Sequence, residues 1–114
     1  MVRKVLVVDD DALVLEVTAT MLDDLGCEVV TALCGDEALA RLERDQNIEI
    51  LITDINMPDM DGYELVDRAR AIRNGLKVIM LSGRELDGHG FPIIRKPFLE
   101  QDLLATMRHT TGTC

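Results

Sequence analysis

The stretch Lys4–Leu15, KVLVVDDDALVL, decides the reading of the fold. Val5, Leu6, Val7 and Val8 form an unbroken apolar run, which suits a strand covered on both faces, because polar alternation disappears when neither face meets water. Three carboxylates follow at once, and apolar residues then return at helical spacing. Strand, acidic turn and helix make the opening of an α/β unit, and the pattern repeats along the chain.

With Lys4–Asp9 as the first strand, CEVVTA (Cys27–Ala32), IEILIT (Ile48–Thr53), KVIMLS (Lys77–Ser82) and PIIR (Pro92–Arg95) supply four more. Between the first two, Val14, Val17, Thr18, Met21 and Leu25 recur at helical spacing, with Gly26 as terminator. A second helix covers Glu37–Leu42, with Asp36 and Glu37 at its positive N-terminal pole. A third runs from about Gly62 to Arg73, with Asp61 and Glu64 spaced as a capping box. The last starts near Leu99, and Leu99, Leu103, Leu104 and Met107 form its apolar face.

Such alternation with short connections predicts a three-layer αβα sandwich around a five-stranded parallel sheet, since each crossover must pass back over the sheet. One connection departs from the rule. Lys96 follows Ser82 by only 14 positions, with Gly83, Gly88, Gly90 and Pro92 between them. A crossover with its helix needs about 10–12 residues, so a short turn or irregular loop is expected, and the fourth helix is short or absent.

The 114 residues suit one domain, 1–114, and 47% apolar content is enough for a core. Asp and Glu number 21 against 12 Lys and Arg, which argues against direct nucleic-acid binding and favours a cation as small partner. No apolar run approaches the roughly 20 residues of a membrane span. Cys27, Cys34 and Cys114 show no metal-ligand spacing and read as small apolar fillers and a tail residue, consistent with reduced thiols in a cytoplasm.

In doubly wound sheets, ligands gather at the carboxyl ends of strands. Those ends carry Asp9 and Asp10, Asp54, Ser82 with Gly83, and Lys96 with Pro97. Clustered carboxylates repel unless a cation offsets their charge. Mg²⁺ fits, because it takes one or two carboxylates plus waters and phosphate oxygens. An aspartate can attack phosphorus directly and become an acyl phosphate, with metal, lysine and hydroxyl compensating the charge that develops. Each residue also has a plainer reading. Asp11 suits a helix N-cap better than a metal site, Asp9–Asp10 alone suits a solvated turn, and Ser82–Gly83 and Lys96 alone suit ordinary surface. Met57, Met60, Met80 and Met107 read as packing residues, and His89 and His109 are too isolated to propose as ligands.

Taken together, VLVVDDD, LITDINMPDMDGYEL, VIMLSG and RKPF, in that order, resemble the receiver domains of two-component response regulators over essentially the whole chain. The resemblance implies strand order 2-1-3-4-5 and phosphorylation of Asp54 by a histidine kinase's phosphohistidine. It further implies Mg²⁺ held by Asp10, Asp54 and the backbone carbonyl of Asn56, with Asp9 acting directly or through a bound water. Ser82 and Lys96 match the family's switch hydroxyl and lysine, and Lys96–Pro97 matches a cis bond. Such a domain signals rather than acting as an enzyme, catalysing only its own phosphorylation and dephosphorylation. Its partners are a sensor histidine kinase or phosphotransfer protein and a downstream protein. The family's aromatic switch position is Ile93 here, with Phe91 nearby but out of register. The output surface is therefore expected over residues 82–98, with Arg84 able to reach the site or a partner. Leu13 and Leu15 mark a candidate dimer or partner surface. The chain ends at TTGTC with no recognisable output segment, so output is expected from another chain or from sequence outside this one, as in receivers appended to hybrid kinases.

Three rivals are weighed against this. A calcium loop starting at Asp54 would need glycine at position 59 and glutamate at 65, where Asp59 and Leu65 stand. A phosphoaspartate phosphatase would use Asp9 and Asp11 but leaves Asp54 unexplained. A receiver relative that binds partners without phosphorylation is the third.

Overall fold

The computed structural model describes residues 3–84 and 87–111. Its elements alternate along the chain: β1 Lys4–Val8, α1 Ala12–Asp24, β2 Glu28–Ala32, α2 Gly35–Arg44, β3 Ile50–Asp54, α3 Gly62–Ile72, β4 Lys77–Ser82, β5 Ile93–Arg95 and α4 Glu100–Thr111. All strand pairings are parallel, and the sheet order is β2-β1-β3-β4-β5. Strand ends differ from the sequence expectation by at most two residues. The largest change is β3, which starts at Ile50 and extends to include Asp54 as its last residue.

Alternate residues of each strand feed different cores, which is why the strands read as continuous apolar runs. Val5, Val7, Ile50, Ile52, Ile79 and Leu81 meet Leu15 and Leu22 of α1 and Leu103 and Met107 of α4. Leu6, Val8, Leu51, Val78 and Met80 meet Ala38 and Leu42 of α2 and Leu65, Val66 and Ala69 of α3. Each fully buried Leu or Ile contributes about 1.5–3 kcal/mol of transfer free energy, so the sheet is the stiff centre on which the site is mounted.

The helix starts follow the sequence signals. Asp11 caps α1, accepting from the amides of Leu13 (3.0 Å) and Val14 (3.3 Å). Asp61 caps α3 through the amide of Glu64 (2.9 Å), while the Glu64 carboxylate pairs with Arg68 at 2.7 Å. The phase of α1 corrects one expectation. Its buried residues are Leu15, Thr18 and Leu22, whereas Val17 is exposed. Helix α1 has two adjacent apolar stripes, and the sheet takes the one through Leu15. Leu15 is therefore core, not surface, and Leu13 alone of that pair faces outward.

Among the described residues, no helix lies between β4 and β5. The chain turns tightly there, with the Phe91 amide donating to the Gly88 carbonyl at 3.0 Å. A Cβ on Gly88 would fall 2.3 Å from the Phe91 oxygen, so the turn requires glycine. Cys27 is a buried filler as expected, but Cys34 is exposed at the start of α2, and Cys114 lies outside the described residues. No helix among the described residues is long and apolar enough to cross a membrane.

Candidate functional site

Sheet register brings the sequence-predicted residues to one rim. Val8 pairs with Thr53, Asp54 with Leu81, and Ser82 with Arg95, so the residues at or just past the ends of β1, β3, β4 and β5 emerge side by side. Carboxylate oxygens of Asp9, Asp10 and Asp54 lie within 4.8 Å of one another. Asp9 and Asp54 are buried at the rim, and Asp10 is exposed. Ser82 is fully buried, and its carbonyl accepts from the Lys96 amide at 2.7 Å. Asp54, Asn56, Gly83, Arg84 and Lys96 line an open cavity of about 320 Å³.

Lys96 ties the cluster together. Its ammonium lies 2.9 Å from Asp9 Oδ2 and 3.1 Å from Asp54 Oδ1, and the bond that follows it, Lys96–Pro97, is cis. The other oxygen of Asp9 accepts the Asp11 amide at 2.9 Å, so Asp9 is held from two sides. Burial would lower the pKa of Lys96, but its hydrogen bonds to Asp9 and Asp54 outweigh that and raise it. Burial raises the pKa of Asp54; Lys96 opposes the shift, and the nearby charges of Asp9 and Asp10 add to it. A carboxylate strained in this way by its neighbours is chemically suited to gaining a cation or a covalent partner.

Helix α3 is seated directly on the backbone of this rim. The Gly62 amide donates to the Ile55 carbonyl at 2.7 Å, and a Cβ on Gly62 would stand 2.5 Å from the Asp54 oxygen. The buried Thr53 hydroxyl donates to that same Asp54 carbonyl at 3.0 Å. The next residue, Tyr63, stacks on His89, with ring centroids 3.9 Å apart and an interplanar angle of 14°. Neither Tyr63 nor Thr53 is among the sequence-predicted site residues, and His89 has no neighbour at ligand spacing in the sequence. The aromatic in DGYEL was the available signal for Tyr63, but its partner lies 26 positions away in a loop without periodicity.

A doubly wound sheet with acids and a lysine gathered at its carboxyl rim is the build of a receiver, the signalling module of two-component systems. The chain belongs to the response regulator receiver domain family, whose model matches residues 5–108. It is 34% identical to Protein PilG of Pseudomonas aeruginosa, over 92% of this chain and 84% of that protein. It is 36% identical to the transcriptional regulatory protein PrrA of Mycobacterium tuberculosis over 92% of this chain, which spans only 48% of that relative. Among solved structures it resembles the chemotaxis protein CheY4 of Vibrio cholerae, with a TM-score of 0.88 and 31% identity, covering 96% of this chain and 99% of that one. The family and strand order implied by the sequence motifs are thus borne out.

Proposed function

We propose that Asp54 accepts a phosphoryl group from the phosphohistidine of a sensor histidine kinase or phosphotransfer protein, and that the product switches the surface over residues 82–98 for a downstream protein. A carboxylate oxygen of Asp54 attacks phosphorus, the P–N bond breaks, and its electron pair returns to the donor imidazole. Lys96 carries positive charge to the phosphoryl oxygens, exchanging its Asp54 contact for one of them while Asp9 holds it in place. Ser82, at the end of β4, offers a hydroxyl to the same group.

The three carboxylates with oxygens within 4.8 Å fit a hard, oxygen-bound divalent ion better than any soft metal. We assign Mg²⁺ to Asp10, Asp54 and the Asn56 carbonyl, with Asp9 bound directly or through water. When bound, the ion supplies charge compensation for the incoming phosphoryl oxygens.

The observation that carries this reading is the double engagement of Lys96, which joins Asp9 to Asp54 across a rim built from four strand ends. It also weighs against the phosphatase alternative, because an Asp9 that is 1% exposed and bonded at both oxygens is poorly placed to attack a substrate. The donor's approach has a matching surface. An apolar groove of about 480 Å³ runs between Leu13, Val14, Val17 and Met21 of α1 and Pro97–Phe98. Lys96 lines both the groove and the site cavity, so a helix carrying the phosphohistidine would rest in the groove while its imidazole faces Asp54. Labelling with acetyl phosphate, followed by peptide mass spectrometry of wild type and Asp54→Asn, tests the reading. Phosphate on the peptide bearing Asp54, absent in the variant, is the expected result; label elsewhere would refute it.

A further inference from the structure

We propose that Tyr63 and residues 87–91 form a clasp whose opening is coupled to phosphorylation of Asp54, replacing the aromatic relay that Ile93 cannot provide; the inference rests on the phosphoacceptor reading above. The clasp has two bonds of different chemistry. The Tyr63 hydroxyl donates to the Asp87 carbonyl at 2.6 Å, and the His89 ring stacks on the Tyr63 ring at 3.9 Å. His89 holds φ +53° to present its ring there, and its backbone amide is tied to the Asp87 carboxylate at 2.8 Å. Non-glycine residues occupy that region at a cost, so the contact it secures offsets some backbone strain. Beside it, the Arg70 guanidinium lies over the Phe91 ring, 5.4 Å from its centroid. Helix α3 thus grips the loop that stands where a crossover helix would be.

Each half of the clasp is fastened to the site. On one side, Tyr63 follows Gly62, whose Cα has no room for a substituent against the Asp54 and Ile55 backbone. Tyr63 is therefore a near-rigid extension of the phosphoacceptor strand. On the other side, Asp87 is five positions beyond Ser82, the buried residue that ends β4. The far end of the loop is pinned to the sheet, since the Met80 amide donates to the Pro92 carbonyl at 2.8 Å. A movement of the Ser82 end toward a phosphoryl group would act on this loop, which meets Tyr63 at Asp87 and His89. With the far end held at Pro92 and Tyr63 held at Gly62, we place the response at the Tyr63 contacts.

In the arrangement where Lys96 pairs with the Asp54 carboxylate, the clasp is closed. A phosphoryl group shifts populations only through interactions that differ between two arrangements. The other arrangement is the open one, with Lys96 and Ser82 drawn to the phosphoryl oxygens and the Tyr63, His89 and Phe91 rings released as an apolar surface for the downstream partner. Linkage then runs both ways: weakening the clasp strengthens binding at Asp54.

The test measures the affinity of beryllium trifluoride with Mg²⁺, a stable phosphoryl mimic, for wild type, Tyr63→Phe and His89→Asn. The first variant deletes the hydroxyl bond and keeps the stack. The second removes the ring while keeping a residue type that tolerates positive φ. Each variant should bind the mimic about fivefold more tightly than wild type, the lower range of ordinary coupling. Amide exchange across residues 87–91 should speed up in wild type on adding the mimic and be fast in both variants without it. Equal or weaker binding by both variants, with wild type still binding, overturns the clasp alone. Failure of wild type to bind the mimic at all overturns the phosphoacceptor reading and the clasp with it. Matched circular dichroism of the three proteins guards against attributing a folding defect to either.

Discussion

The Lys96 ammonium donates to Asp9 Oδ2 across 2.9 Å, joining the end of the first strand to the end of the fifth. Asp9 is 1% exposed, so its charge is tolerable only while that ammonium faces it.

Replacing Lys96 by Met should therefore destabilise the fold by about 3 kcal/mol, the usual cost of stranding a buried charge, as measured by urea unfolding. A pH signature accompanies it. The folded pKa of Lys96 is raised above its ordinary 10.5. Its contribution is thus fully present below that value and is lost as pH climbs through the folded-state pKa. Wild type should lose stability above pH 10.5 more steeply than Lys96→Met; parallel profiles would contradict the pairing.

Asp54 behaves in the opposite sense. Burial foremost, and the charges of Asp9 and Asp10, raise its pKa above 3.8 despite Lys96. The folded carboxyl holds its proton longer than the unfolded one, so stability falls as pH rises from 3.8 through the folded value, and at neutral pH the ionised group opposes folding. Asp54→Asn should raise the melting temperature at pH 7 by about 4 °C, equivalent to roughly 1 kcal/mol, while abolishing phosphorylation. A lower melting temperature would mean that the lost Lys96 contact outweighs the relieved repulsion.

Mg²⁺ should act as a stabilising ligand. At about 100 times its dissociation constant, a ligand of the folded state adds about 2.7 kcal/mol. Because Asp10 is exposed, Asp10→Asn should fold normally in metal-free buffer yet show little or no thermal shift on adding Mg²⁺. A shift as large as that of wild type would remove Asp10 from the ion's site.

Variants in the α1 groove should separate donor docking from chemistry. Leu13 is 70% exposed and Val17 46%, so Leu13→Asp and Val17→Asp should change stability by no more than about 0.5 kcal/mol. Transfer from a cognate histidine kinase should drop at least about tenfold, the loss of one apolar anchor, while labelling by acetyl phosphate stays at the wild-type rate. Equal loss with both donors would move these residues from docking to the fold.

Gly62→Ala probes the seating of α3. The added methyl would meet the Asp54 carbonyl oxygen at 2.5 Å and the Ile55 Cα at 2.8 Å, the first at the end of β3 and the second just past it, where the Ile55 amide donates to the Leu81 carbonyl at 3.1 Å. Helix and strand must part, at a cost of about 1–3 kcal/mol, and acetyl phosphate labelling should slow because the Asp54 backbone shifts. Wild-type stability in this variant would show that the contact relaxes freely.

Much of this architecture was legible in one dimension. Val5–Val8 read as a doubly covered strand, because neither face of β1 meets water, and the Asp11 and Asp61 caps were visible as acids placed just before apolar helical repeats. The phase of α1 was not legible. Leu13, Val14, Leu15, Val17, Thr18, Met21 and Leu22 offer more than one apolar stripe, and only contact with the sheet selects Leu15, Thr18 and Leu22 for the core. Nor could the pairing of Tyr63 with His89 be foreseen, since a stack across an irregular loop leaves no repeat in the sequence.

The alternation of strands and helices, and the polar residues at or just past the ends of β1, β3, β4 and β5, follow from local pattern, because hydrophobic period and capping are local properties. Folding alone sets which distant groups share a few ångströms: Lys96 with Asp9 and Asp54, α3 with the strand backbone, and the loop with Tyr63. Those choices depend on parallel register and on close packing between elements far apart in the chain, and local pattern carries no measure of either.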